Sequence, residues 1–295
     1  MEDIIYLKLV QDYEDALNSN KFIFFKKWIF KFKNSFNIVT KKRIGIFNFW
    51  VLAYKENIQN NKFERIIKKS FLNKDIKLVL SDELNKEEVV KILHKYNVKF
   101  LNGNLAKKKL IFKVLEYINK MQTQKNSQRE ITVLVNENNK INLNILNRLA
   151  FESKSLKIVS QKICEFKKLE EKLYKENGIA IQFSNSYSKS LKKSEIIINL
   201  DFSEQLINEY EINKKAIIIN TKDKIKIKSK MFNGVLINSV LIKLPQNIKK
   251  IKYMYEFNNL LVYESLIENN LEDANVKILK LIGINGNIEK RDFLI

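Results

Sequence analysis

Glycine, proline, cysteine, histidine and arginine are all scarce in this chain, and each scarcity closes off a kind of chemistry. Its 295 residues include six glycines, one proline, one cysteine and one histidine. A single cysteine, Cys164, excludes an intrachain disulfide and fits a reducing compartment. With His94 as the sole histidine, no multi-histidine metal site can be built, and any Ser-His-Asp or Cys-His device would have to use it. His94 sits between Leu93 and Lys95 in a helical segment, Glu87 to Tyr96, and reads as a surface or boundary residue. Cys164 falls in the first turn of a helix expected from Ile163 to Glu176, where the helix dipole could activate its thiol. Its neighbours Ile163 and Phe166 favour instead a small buried apolar residue. No catalytic residue, cofactor or metal ligand is assigned on this basis.

Long apolar runs are missing too. The uncharged stretch Ile44 to Tyr54 is far short of the roughly 20 residues that span a bilayer. The start, Met1-Glu2-Asp3-Ile4, carries acid where a secretion signal needs base. A soluble cytoplasmic protein is the expectation.

Positive charge is abundant, at 54 basic against 33 acidic residues and a formal net charge of +21. Only five of the basic residues are Arg, and Ile, Asn and Phe are plentiful, which is the imprint of an A+T-rich coding sequence. Because such coding favours Lys whatever the function, the charge argues less for nucleic acid than the same charge built from Arg. One stretch stands out: between Ala16 and Tyr54 there is no acid, while Lys26, Lys27 and Lys31 flank Trp28 amid several phenylalanines. Lysine heads with aromatic faces suit single-stranded nucleic acid or an acidic membrane surface, with the Lys21 to Arg43 segment as the contact. The competing reading, that the aromatics form a domain core with lysines reaching outward, is preferred because a small domain must bury its aromatics.

Periodicity gives an α/β protein of two domains. Residues 1–124 read as a small α/β domain with strands at Asp75–Ser81 and Val98–Leu101 and a helix from Lys107 to Met121. The polar run Gln122 to Gln128 is the linker. Residues 129–295 alternate strand and helix: Ile131–Val135, then Leu143–Phe151; Leu156–Val159, then Ile163–Glu176; Ile179–Phe183. Two more strands follow at Glu195–Leu200 and Ala216–Ile219, joined by a short helical segment near Ser203–Tyr210. The strands are apolar throughout, as in a mostly parallel, doubly wound sheet covered on both faces. Gly178 stands where a helix end needs positive φ. Val235–Leu244 is expected as a last strand, with helices from Glu256 to Asn269 and again after Leu271.

The stretch Ser194-Glu195-Ile196-Ile197-Ile198-Asn199, within this order of elements, resembles the fourth strand of the amino-acid-dehydrogenase-like family that includes shikimate and methylenetetrahydrofolate dehydrogenases. The resemblance implies a Rossmann-like second domain and an NAD(P)-dependent dehydrogenase or reductase. The glycine fingerprint is absent: the first loop is Asn136-Glu137-Asn138-Asn139-Lys140-Ile141-Asn142, whose side chains would crowd a pyrophosphate and whose Glu137 would repel it. No acid follows the second strand to hold a ribose; Val159-Ser160-Gln161 stands there.

What remains is a polar rim, because the strands end in Asn136, Ser160, Asn185, Asn199 with Asp201, and Asn220. In an open parallel sheet these tips converge, and hydrogen-bonding groups with one acid suit a neutral polar or cationic small molecule. The same residues also cap helices and turns. The reading is a non-catalytic or degenerate Rossmann-like protein that binds a small polar ligand or a protein partner. Its alternatives are a reductase with an atypical cofactor loop and a nucleic-acid or membrane-surface binder.

Overall fold

The computed structural model describes residues 3–9, 38–44, 47–54, 76–80, 99–122, 126–244, 258–268 and 275–293, with a few positions between 61 and 96. The Lys21 to Arg43 segment falls outside these residues except for its last few positions, so Lys26, Lys27, Trp28 and Lys31 are not described. The chain divides into two compact units, Met1–Asn102 with Leu244–Ala274, and Gly103–Lys243 with Asn275–Ile295. The sequence placed the division at 124. The long helix before that point belongs instead to the second unit, and a C-terminal stretch returns to the first.

In the first unit, strands β1 (Asp3–Leu9), β2 (Ile38–Ile44), β3 (Phe47–Tyr54), β4 (Ile76–Leu80) and β5 (Lys99–Leu101) form one sheet in the order β2-β3-β1-β4-β5. Only β2 runs antiparallel to its neighbour. The helix Asn259–Glu268 packs on β4 and β5, and it is buried from Leu260 to Ile267 on every side, as its apolar sequence requires.

The second unit opens with helix α1 (Asn104–Gln122) and then builds a sheet from β6 (Glu130–Leu134), β7 (Ser155–Val159), β8 (Gln182–Ser184), β9 (Ile196–Asn199), β10 (Ile217–Asn220) and β11 (Val235–Ile237). Every pairing is parallel and the order is β11-β10-β9-β6-β7-β8. Counted from β6, that is the 3-2-1-4-5-6 arrangement of a doubly wound, Rossmann-like sheet. The triple isoleucines of β9 and β10 are buried on both faces, each contributing about 1.5–3 kcal/mol relative to exposure. One buried cluster holds Leu134, Val159, Ile197, Ile218 and Leu236 from five strands, with Phe202, Ile207, Tyr210 and Ile225.

Helix α2 (Lys140–Glu152) starts three residues earlier than its apolar pattern suggested, because the side chain of Asn139 accepts the backbone N–H of Asn142 and caps it. The expected helix Ile163–Glu176 is divided. A 3-10 turn at Ile163–Phe166 leads into α3 (Lys167–Asn177), and Cys164 on that turn is exposed rather than buried, because Phe166 alone of the turn reaches the core. Gly178, at φ 67°, ends α3, with its N–H donating to Tyr174 O and that of Ile179 to Leu173 O. That cap takes Ile179 out of the following strand, so β8 begins three residues later than expected.

Short α4 (Glu204–Ile207) is capped by Ser203. The strand expected over Val235–Leu244 is two strands broken at Asn238: β11 in the parallel sheet and β12 (Ser239–Lys243), which joins β13 (Lys277–Ile282) and β14 (Asn287–Ile288) in a small antiparallel sheet. Strands β13 and β14 stand where the sequence suggested a last helix. The Gly-Ile-Asn-Gly turn between them, with Gly286 at φ 116°, makes a hairpin there. Among the described residues no helix is long and apolar enough to cross a membrane.

Candidate functional site

The point where chain order reverses in a doubly wound sheet lies between its first and fourth strands, here β6 and β9. Past β6 the ladder continues with Val135 N–H donating to Val159 O, and past β9 with Leu200 N–H donating to Leu134 O at 3.0 Å. These bonds bring the loop after β6 against Asp201. The backbone N–H of Asn136 donates to Asp201 Oδ1 at 2.7 Å, and that of Glu137 donates to Asp201 Oδ2 at 2.8 Å. Consecutive backbone N–H groups ahead of a helix are the anion cradle of this fold, the place where a dinucleotide seats its phosphates. In this chain a carboxylate of the protein itself takes both of them.

Asn142, fully buried in the first turn of α2, fastens the arrangement. Its Nδ2 donates to Glu137 O at 2.8 Å and to Asp201 Oδ2 at 3.3 Å, and its Oδ1 accepts Lys108 Nζ from α1 at 2.9 Å. Asp201 is 7% exposed. Burial raises its pKa above the ordinary value, against the pull of the Glu137 and Asn136 N–H groups. Lys108 is shifted down, again chiefly by burial, while Asp201 and Glu137 oppose the shift.

The second cluster is a ladder of asparagines one row beyond the isoleucines. Asn199 Nδ2 donates to Phe202 O and to Asn220 Oδ1, both at 3.0 Å, while Asn199 Oδ1 accepts the Phe202 N–H. Asn220 Nδ2 donates to Asp223 O at 2.8 Å and to Asn238 Oδ1 at 2.9 Å. Asn238 in turn brackets Ile225, accepting its N–H and donating to its carbonyl, each at 3.0 Å. Asn199, Asn220 and Asn238 are at most 2% exposed, so their amides tie strand ends together.

Toward the other edge, Asn136 Oδ1 accepts Ser160 Oγ at 3.2 Å and the Gln161 N–H at 2.8 Å. Ser160 Oγ also accepts the Lys162 N–H. Gln161 Nε2 donates to Tyr187 Oη at 3.0 Å, and Tyr187 packs its ring on Tyr210, 4.7 Å between centroids. Tyr210 is 5% exposed and its hydroxyl has no partner among the described residues; burial pushes its pKa up to about 12, so it stays protonated.

Of the six rim residues marked in the sequence, the structure thus joins Asn136, Ser160 and Asp201 around the loop after β6. Asn199 and Asn220 form a separate buried ladder, and Asn185 is exposed past β8. Sequence reasoning missed Asn142, Lys108 and Asn238. Asn238 had a signal: Val-Leu-Ile-Asn at 235–238 repeats the Ile-Ile-Ile-Asn of 196–199 and 217–220. The residues do not fit a dinucleotide at the expected place. Asp201 holds the N–H groups, Glu137 adds charge, and no acid follows β7. Among the described residues no three His, Cys, Asp or Glu side chains group as for a metal.

No family model matches the chain, and no curated protein matches it. Solved structures that it resembles include L-tryptophan dehydrogenase from Nostoc punctiforme, at 12% identity and TM-score 0.30 over 74% of this chain and 62% of that one. A shikimate dehydrogenase in complex with NADP+ aligns at 9% identity and TM-score 0.32, covering 79% and 83%. A putative D-3-phosphoglycerate dehydrogenase from Ralstonia solanacearum aligns at 9% and 0.34, covering 92% and 96%. This chain spans under two thirds of the tryptophan dehydrogenase. These three are dehydrogenases by name, and at such identities and TM-scores the likeness carries no argument about this chain; the strand order of the second unit is what establishes its Rossmann-like fold.

Proposed function

We propose that this is a degenerate Rossmann-like protein whose second unit has given up dinucleotide binding and holds a small neutral or cationic polar ligand, or a protein partner, at the strand tips. The observation that carries the reading is the Asp201 carboxylate on the N–H groups of Asn136 and Glu137. A diphosphate entering the loop would have to displace the buried Asp201 carboxylate and would meet the like charge of exposed Glu137 at the loop's surface as well. The groups left to greet a ligand are the Asn136 amide, whose Nδ2 has no acceptor among the described residues, and exposed Gln161 and Asn185; Ser160, buried and doubly bonded, holds the Asn136 amide in place. They suit hydrogen bonding to uncharged or positive groups.

Differential scanning fluorimetry on the whole chain tests this. Among neutral polyols, amino acids and amines, one class is expected to raise the melting temperature of the wild type and not of Asn136→Ala. A stabilisation by NAD(P) that Asn136→Ala weakens would overturn it.

A second reading has one observation in its favour, the complete parallel 3-2-1-4-5-6 order. In it the chain is an NAD(P)-dependent reductase whose Asp201 swings aside when cofactor arrives. Micromolar binding of a nicotinamide dinucleotide would select it.

A further inference from the structure

We infer that residues 224–230 form a fixed lysine comb that binds the phosphate backbone of single-stranded nucleic acid, independently of what the strand tips hold. Lys224, Lys226, Lys228 and Lys230 occupy alternate positions and are all exposed, while Ile225 is 3% exposed in the core and Ile227 packs against the same cluster. Alternation of this kind sets neighbouring lysines on one side at about 6.6 Å along an extended chain. That spacing is commensurate with successive phosphates of an extended strand.

The comb is held by side chains that imitate a neighbouring strand. Asn238 takes both backbone groups of Ile225. Asn208 donates to Lys226 O at 2.8 Å and accepts the Lys228 N–H at 2.7 Å, and Glu204 Oε2 accepts the Lys226 N–H at 3.0 Å. A turn closes the segment, with Phe232 N–H donating to Ser229 O. These bonds fix the backbone at Ile225, Lys226, Lys228 and Ser229 before any partner arrives, which removes part of the cost of binding.

The acids in contact with the segment are otherwise engaged. Glu204 holds a backbone N–H, and Asp223 accepts Asn104 Nδ2 at 3.3 Å. Among the described residues none of the four lysines is ion-paired. Lys214 and Lys215 add to the same end, where Asn233 N–H donates to Lys214 O. A lipid surface fits less well because the apolar partners of the comb face inward, leaving Met231 as the exposed apolar residue beside it. Lysines along helix α3, by contrast, alternate with Glu170, Glu171 and Glu176, and Lys175 pairs with Glu171.

The test is fluorescence anisotropy of a labelled oligouridine with the full chain, titrated between about 50 and 200 mM salt. Three proteins are compared: wild type, Lys224→Glu/Lys226→Glu/Lys228→Glu, and the equal-charge control Lys167→Glu/Lys168→Glu/Lys172→Glu. The comb variant is expected to bind at least about tenfold more weakly and to lose about 2 from the slope of log K on log salt, at about 0.7 for each of three phosphates. The control is expected to stay within about twofold of wild type. A Lys→Gln triple variant at 224, 226 and 228, with an unchanged melting temperature, serves if the Glu variant does not fold. Equal losses in both Glu variants, no wild-type binding, or binding to phosphatidylserine vesicles in place of oligouridine would each overturn the inference.

Discussion

The backbone N–H of Glu137 donates to the carboxylate of Asp201 at 2.8 Å, across 64 positions of sequence and at the reversal point of the sheet. With the matching bond from Asn136, it makes the loop after β6 self-sufficient: the turn is held by the protein's own anion. From this relationship follow predictions for how the stability of the second unit responds to substitution and pH.

Asp201→Asn keeps the shape of the side chain but leaves an amide nitrogen facing a backbone N–H. The variant is expected to lose about 1–3 kcal/mol in urea unfolding at neutral pH. Burial places the folded-state pKa of Asp201 above its unfolded value. Folding therefore favours the protonated carboxyl. The contribution of this titration to stability is full below the unfolded pKa and is lost as pH rises through the folded one. The stability gap between wild type and Asp201→Asn should narrow as pH climbs through and above the ordinary aspartate range. A gap that widens over that window would contradict the assignment.

Asn220 donates from its one amide nitrogen to carbonyl and amide oxygens, Asp223 O and Asn238 Oδ1 among them, inside the asparagine ladder. Asn220→Ala should cost about 2–4 kcal/mol, from unpaired buried groups and a small cavity. Asn220→Asp sets a carboxylate against those acceptors, so it should be the worse variant at pH 7 and recover part of the loss near pH 4. Thermal unfolding of the two variants at both pH values checks the ordering.

Gly234 and Gly178 are predicted to respond to the same change with the same sign and different magnitude. A Cβ at Gly234 would run into the backbone carbonyl of Ala216, which accepts the Val235 N–H, so Gly234→Ala should cost about 3 kcal/mol or more. Gly178 has open space around it and needs only its left-handed φ, so Gly178→Ala should cost about 1 kcal/mol. Urea midpoints for the pair read out the difference.

Much of the second unit was legible because its strands are short, mainly apolar runs, unbroken in the Ile-Ile-Ile of β9 and β10, set off by polar tips and alternating with helical segments, a pattern that fits a sheet covered on both faces. The missing glycines of the first loop were equally plain. What fills their place was not, since Asp201 and Asn136 meet only after the β9 crossover sets strand four beside strand one. The break at Asn238 was hidden because Val235 to Leu244 is continuous in hydropathy; the amide engaged with Ile225 turns the chain out of one sheet and into another. Strand β13 was misjudged as helix because Lys-Ile-Leu-Lys-Leu-Ile fits either period, and the hairpin glycines decide it. The expected burial of Cys164 rested on its neighbours Ile163 and Phe166, and the 3-10 turn leaves it exposed.

Isothermal titration of the full chain with NAD+, NADH, NADP+ and NADPH tests most directly whether Asp201 has replaced the cofactor's phosphates. No heat of binding at micromolar or sub-millimolar concentration is predicted for any of the four. Saturable micromolar binding of one of them, weakened by an added charge at Asn138→Asp beside the loop, would contradict the account.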